Sequence, residues 1–360
     1  MRVSQGGTKT FIVVHGVNRE RTTLGRYPVI TLSEARVKAK HLLAERTLGK
    51  ERQQRSPFDE ALELFITTHC RPKNKPRTAA ETARLLNRHS LPPFRRMSLS
   101  DLSTTAVTKI TDGLASTPSL ANHAFTAART YFRWAVKRRL IERSPLDGLG
   151  LPNKTVSRER VLTDEELACI LAAARTLGSF GKIVQLLMLT GQRVNQIVSL
   201  RVDHIDQEAK TIRWSGDLMK GNRPHRIPLG EMAAVILGTL PKEGLVFSAK
   251  GKETPFNGFS TSKGKLDRLC KIEPWTLHDL RRTLATGMAK SGIPPHIVER
   301  LLDHRSGTIS GVAAIYNRHA YIDEMRAALA TWEKHIDSLT KTGYHAPMPG
   351  TQPGAVAMAP

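Results

Sequence analysis

Two arginines, a lysine, two histidines and a tyrosine stand in the C-terminal half in an order suited to chemistry on a phosphate. Arg193 follows Gly191 in Thr190-Gly191-Gln192-Arg193, where one apolar helix stops and the next begins. An arginine fixed at a helix N-terminus lies beside backbone N–H groups that themselves attract a phosphate. Lys220 sits in Met219-Lys220-Gly221-Asn222, at the expected tip of a hairpin between the strand-like runs Thr211–Trp214 and Arg226–Leu229. His278 and Arg281 are three apart in His278-Asp279-Leu280-Arg281-Arg282-Thr283, so a helix puts the imidazole and the guanidinium on one face. His304 closes Leu301-Leu302-Asp303-His304, and Tyr316 follows in Ile315-Tyr316-Asn317-Arg318-His319. Taken singly, each has an ordinary reading: a helix C-cap with a solvated arginine, a hairpin lysine in water, a tyrosine on a helix.

As an ordered set these segments resemble the tyrosine recombinase (phage integrase) family. Its members show Thr-Gly-x-Arg, a hairpin lysine, His-x-Leu-Arg-Arg-Thr, a Leu-Gly-His-like segment and a tyrosine about one helix later. Leu24-Gly25-Arg26-Tyr27-Pro28 and Leu32-Ser33-Glu34-Ala35-Arg36 look like the arm-DNA-binding domain of integrases from phages and genomic islands. The helical middle of the chain looks like their core-site-binding domain. The N-terminus is shorter than is usual for that branch, so the first strand of its domain is expected to be missing. Two positions depart from the family pattern. Gln196 stands where an acidic residue is usual, and Asp303 replaces the common glycine before His304. An amide can hydrogen-bond but cannot ion-pair, and a carboxylate beside His304 is expected to raise its pKa.

The resemblance implies a site-specific DNA recombinase that cuts and rejoins strands and so integrates or excises a mobile element. Its catalytic set would be Arg193, Lys220, His278, Arg281, His304 and the nucleophile Tyr316. The physical logic is direct. Attack on a phosphodiester builds negative charge on the non-bridging oxygens, which Arg193 and Arg281 can clamp and to which His304 can donate a hydrogen bond. A tyrosine attacks well only once deprotonated, so His278 is the expected proton acceptor and Lys220 the donor to the leaving 5′ oxygen. A 3′-phosphotyrosine keeps the bond energy, so no cofactor or metal is expected. Tyr321 is the local rival of Tyr316 and is expected to pack at the start of the next helix instead. The implied partners are double-stranded DNA attachment sites, a homotetramer on DNA and DNA-bending accessory proteins. The rival readings are a type IB topoisomerase-like strand transferase and a catalytically silent DNA-binding regulator.

The rest of the composition agrees with a polyanionic partner. Fifty-five Lys and Arg oppose 32 Asp and Glu, a net charge of +23 spread along all 360 residues, which is tolerated most readily opposite nucleic acid. No apolar run reaches membrane-spanning length and no signal-peptide core opens the chain, so a cytoplasmic, bacterial setting without a membrane partner is expected. Cys70, Cys169 and Cys270 are far apart and odd in number, which argues for buried thiols rather than disulfides or a zinc site. No Gly-x-x-x-x-Gly-Lys-Ser/Thr segment signals a nucleotide.

The elements that must position the set follow from periodicity and punctuation. Thr10–Val14 and Arg21–Leu24 read as strands around a Val17-Asn18 turn, and Thr31-Leu32-Ser33-Glu34 has capping-box spacing before a basic helix. Residues 57 to about 146 read as helical, including a long helix over Leu120–Leu140. Thr163-Asp164-Glu165-Glu166 opens a further helix, and others are expected over 182–189 and from about Phe259, Leu277, His296 and Ile322. The expected fold is multidomain and mainly α with small β-sheets. It comprises a small α+β arm-type domain at 1–50, a helical core-site domain at 56–147, a catalytic domain at 158–340 and a disordered tail at 341–360. The amphipathic helix around Trp332 could pack on its own domain or, as the resemblance suggests, on a neighbouring subunit.

Overall fold

The computed structural model describes residues 1–15, 19–47, 57–155, 159–219, 221–239, 241, 243–249, 252–304 and 319–341. The Val17-Asn18 turn, Lys220, Tyr316 and residues 342–360 lie outside them. The chain divides into two compact units, Met1–Ser157 and Arg158–Pro360.

The first unit opens with an antiparallel sheet in the order β1-β2-β3, formed by β1 (Arg2–Val3), β2 (Lys9–His15) and β3 (Glu20–Arg26). The β-branched residues of β2 favour the extended chain. β1 pairs with β2, Arg2 opposite Thr10 and Val3 opposite Lys9. Two exposed residues carry no alternation that a sequence pattern could register. Helix α1 (Leu32–Thr47) has the expected cap, with Thr31 N donating to Glu34 Oε2 at 2.7 Å and Glu34 N donating to Thr31 Oγ1 at 3.2 Å.

Four longer helices follow: α2 (Phe58–Phe65), α3 (Pro76–Leu85), α4 (Thr104–Asp112) and α5 (Pro118–Lys137). On α5 the residues Ala121, Ala124, Phe125, Ala128, Tyr131, Phe132 and Ala135 recur at helical spacing and are buried. Tyr131 lies 5.2 Å from Phe58 and 5.3 Å from Phe65, centroid to centroid, and its hydroxyl donates to Phe58 O at 3.3 Å. That bond satisfies the polar end of a fully enclosed ring.

The second unit carries α6 (Asp164–Ala174), α7 (Gly178–Thr190), α8 (Val194–Val198), a sheet β4 (Ile205–Asp206), β5 (Thr211–Trp214) and β6 (His225–Pro228), then α9 (Glu231–Gly238), α10 (Phe259–Cys270), α11 (Leu277–Lys290), α12 (Pro295–Leu302) and α13 (Ile322–Lys341). The sheet is antiparallel in the order β4-β5-β6. β4 and α9 were not expected from the sequence. Helix α7 is buried almost all round, through Phe180, Ile183, Val184, Leu186, Leu187, Met188 and Leu189. Each such side chain contributes roughly 2 kcal/mol of burial, so this central helix is a rigid base for the turn at its C-terminus. The three cysteines are buried free thiols.

Helix α13 packs on its own unit. Met325, Ala328, Leu329, Trp332 and Ile336 are buried in the core, and Trp332 Nε1 donates to Met188 O at 2.9 Å. Gly287 on α11 makes this possible, because a Cβ there would lie 2.3 Å from the indole. Among the described residues no helix is long and apolar enough to cross a membrane.

Candidate active site

Helix α7 ends at Gly191, whose φ of +63° turns the chain sharply. A Cβ there would lie 2.8 Å from Leu302 and 3.1 Å from Leu284, so glycine is needed both for the turn and for the approach of α11 and α12. The next turn begins at once, with Arg193 as its N-cap. Gln196 occupies the position of the expected acid and does the work of a cap. Its Oε1 accepts from Arg193 N at 2.9 Å, and its Nε2 donates to Gln192 Oε1 at 3.1 Å and to Met219 Sδ at 3.4 Å. Gln192 is locked in turn, since its Nε2 donates to Thr190 O at 3.1 Å and Leu301 O at 2.9 Å. A carboxylate at 196 would meet the Gln192 oxygen instead of donating to it, so the amide fits this environment better than the acid would.

Helix α11 brings the second arginine. Its N-terminus is capped by the fully buried Asp279, which accepts from Thr276 N at 2.7 Å and pairs with Arg282. One turn on, Arg281 is 2% exposed. Its Nη1 donates to Gly191 O at 2.8 Å and its Nη2 to Leu302 O, so one guanidinium ties the ends of α7 and α12 to α11. Its Nε is buried without a hydrogen-bond partner. Burial first, and the Arg193 charge second, lower its pKa to about 9, which leaves it charged at pH 7. Thr283 accepts from Leu162 N at 2.9 Å and fixes the helix to the start of the unit.

Helix α12 ends at Asp303, with φ +50°, and His304 N donates to Glu299 O at 2.9 Å. Arg193 Nη1 lies 3.4 Å from Asp303 Oδ2, and its Nη2 donates to Asp303 O at 3.2 Å. Arg193 is half-buried, and His278 and His304 are more exposed than it is but still partly desolvated. Desolvation, followed by the Arg281, Arg193 and His278 charges, pushes His304 down to about 4. The expected upward pull of Asp303 is present but is the weakest contribution, so the expectation of a raised His304 pKa is corrected. His278 is also lowered, by desolvation and then by Arg282 and Arg281. Both imidazoles are therefore neutral at pH 7, able to accept a proton on one nitrogen and donate from the other.

The structure thus brings Arg193, His278, Arg281 and His304 within electrostatic reach of one another from three separate segments. Lys220 and Tyr316 lie outside the described residues. The sequence pattern gave no sign of His225. It is buried, stacks on Trp214 at 5.9 Å and shares a hydrogen bond with Leu301 O at 3.1 Å, linking the β5–β6 hairpin to α12. A buried histidine inside a basic hairpin run carries no periodic signal. Tyr321, the rival tyrosine, sits immediately before α13 with its ring 5.3 Å from His296 and 5.6 Å from the Arg300 guanidinium. A cleft of about 500 Å³, lined by Lys210, Glu231, Arg326 and Asp337 among others, shares no residue with the set.

The second unit is mainly helical with a small sheet, and it gathers two arginines and two neutral histidines near helix ends. Residues 160–322 match the model of the phage integrase family. The chain is 25% identical over 362 positions to prophage integrase IntZ of Escherichia coli (strain K12), covering 94% of this chain and 89% of that one. It is 27% identical over 205 positions to tyrosine recombinase XerC of Mycobacterium tuberculosis (strain ATCC 25177 / H37Ra), covering 50% and 67%. The fold is similar to that of a lambda integrase dimer bound to a COC′ core site, with TM-score 0.60, 19% identity and coverage of 88% and 93%. It is also similar to a lambda integrase tetramer bound to a Holliday junction, with TM-score 0.58, 19% identity and coverage of 86% and 96%.

Proposed function

We propose that this chain is a site-specific DNA recombinase that cleaves and rejoins strands through a 3′-phosphotyrosine at Tyr316, integrating or excising a mobile element. The observation that carries this reading is Arg281: a buried cation, held by two neutral carbonyls and facing a second arginine, is stabilised by an anion arriving from outside. Arg193 and Arg281 clamp the non-bridging oxygens, and the neutral His304 donates to one of them. His278, also neutral, accepts the phenolic proton of Tyr316, and Lys220 protonates the leaving 5′ oxygen. No nucleotide or metal takes part, because the phosphotyrosine conserves the bond energy.

In this reading residues 1–50 bind arm-type DNA, 56–147 grip the core site and 158–340 carry the chemistry. A homotetramer assembles on double-stranded attachment sites with DNA-bending accessory proteins, in the cytoplasm of a bacterium. The relatives named above, a prophage integrase and a tyrosine recombinase, support it. The test incubates the full-length protein with a nicked duplex carrying the direct repeats that flank its gene. A denaturant-resistant protein–DNA adduct that Tyr316→Phe abolishes is expected. An adduct that survives this change, or that forms through Tyr321, overturns the assignment.

A further inference from the structure

The turn after α12 places a carboxylate among cations. Asp303 has φ +50°, the left-handed conformation that glycine takes freely and that aspartate and asparagine also adopt. The side chain is turned toward Arg193. Its Oδ2 lies 3.4 Å from Arg193 Nη1, with only 29% of the arginine side chain and 24% of the aspartate exposed. The Asp303 main-chain oxygen accepts from Arg193 Nη2 as well, so two of the five guanidinium donors turn toward this one residue. The same negative charge acts on Arg281, His225 and His304. A carboxylate offers a guanidinium the same kind of charged two-oxygen edge that a phosphodiester does.

We propose that Asp303 is an internal counterion that holds the anion-binding edge of Arg193, so that a phosphodiester gains this arginine only by displacing the carboxylate. The proposal rests on the reading of Arg193 and Arg281 as the phosphate clamp. Its consequence is selectivity. Displacement needs binding energy from DNA contacts remote from the scissile bond, so a free oxyanion or a poorly matched duplex is refused where a fully engaged site is accepted. Asp303 is therefore a specificity-determining residue, acting through Arg193 rather than on the reacting atoms.

The experiment measures inorganic phosphate binding to the full-length protein by isothermal titration calorimetry, for the unchanged chain, Asp303→Asn, Asp303→Gly and the double variant Asp303→Asn with Arg193→Ala. Asparagine and glycine both accept the left-handed backbone, and a thermal unfolding scan verifies folding of each. Affinity is expected to rise about tenfold in both single variants, as loss of a unit charge at this distance requires, and to fall back in the double variant. An unchanged or weaker affinity in the single variants, a gain that persists without Arg193, or no measurable binding to any variant overturns the proposal. Adduct formation on nicked duplexes is followed in parallel. Both variants are expected to narrow the ratio of matched to mismatched adduct through KM rather than kcat, and a ratio that stays fixed overturns the selectivity claim. If phosphate binding behaves as expected while no Tyr316 adduct forms on any duplex, the strand-transfer reading fails and the counterion stands. An adduct with phosphate binding indifferent to residue 303 removes the counterion alone.

Discussion

Two charges buried in the second unit, Glu333 and Arg281, are treated by the fold in opposite ways. Glu333 on α13 is 6% exposed, and its carboxylate accepts from Met232 N at 3.1 Å and Ala233 N at 3.2 Å. It thereby caps the N-terminus of α9 from a distant helix, where the backbone dipole also favours an anion. Gly230 leaves the room, since a Cβ there would lie 2.3 Å from Oε1. Burial still raises its pKa, but its oxygens meet donors. Arg281 has two neutral carbonyls, an Nε without a partner and another cation nearby, and its negative neighbour Asp303 is shared with that cation. A buried charge satisfied from within holds the fold together, and one short of hydrogen-bond partners supports the proposal that an anion binds there.

The largest test of that contrast is Arg281→Lys. Loss of the planar fork is expected to cut Tyr316 adduct formation about a thousandfold, near 4 kcal/mol of transition-state stabilisation, while urea unfolding shifts by about 2 kcal/mol, because the lysine keeps the charge but not both carbonyl bonds. A stability loss as large as the activity loss would erase the distinction. Glu333→Ala should do the reverse. It is expected to cost about 2–3 kcal/mol in urea unfolding, because the α9 donors lose a buried partner, with adduct yield per folded molecule unchanged within a few-fold.

A third test uses pH. His225 is pushed down to about 4, chiefly by burial, so the folded state favours its neutral form. That contribution is complete above the unfolded value of 6.5 and is lost as pH falls through the window from there to about 4. Replacing it, His225→Gln, should flatten the fall in melting temperature over this window, removing about 3 kcal/mol of the pH-dependent loss. Glu333 has the opposite sign, because its raised pKa gives a contribution that is lost as pH rises. The smallest expected effect is Gln196→Glu, which sets a carboxylate against Gln192 Oε1 and should lower stability by about 1 kcal/mol in chemical denaturation. A stabilised variant would mean that the amide pair is incidental.

Much of the scaffold is legible in the amino-acid order. The capping boxes at Thr31 and Thr163, the stop at Gly191 and the starts near Leu277 and Ile322 are all readable because caps and breaks are local chemistry. The four described members of the site set are legible because an ordered set of residue types at fixed spacing is written along the chain. Strand β1, strand β4 and helix α9 escape. The strands are two residues long, and α9, Glu231–Gly238, is capped by Glu333 about a hundred residues away. His225 escapes for a related reason, since its partners Trp214 and Leu301 come from other elements.

The amino-acid sequence by itself determined which residues are available: the arginines, the histidines, the +23 charge and the two departures at Gln196 and Asp303. The tertiary structure alone decided what state they are in. Sequence order implied that Asp303 raises the pKa of His304, whereas in the fold desolvation and two arginines outweigh it. Likewise Gln196 reads as a lost charge along the chain and becomes a matched amide once Gln192 is held by Leu301. Residue type and local caps follow from covalent neighbours. Protonation and hydrogen-bond matching depend on charges and carbonyls that only the folded chain brings close, where a low local dielectric gives each of them weight.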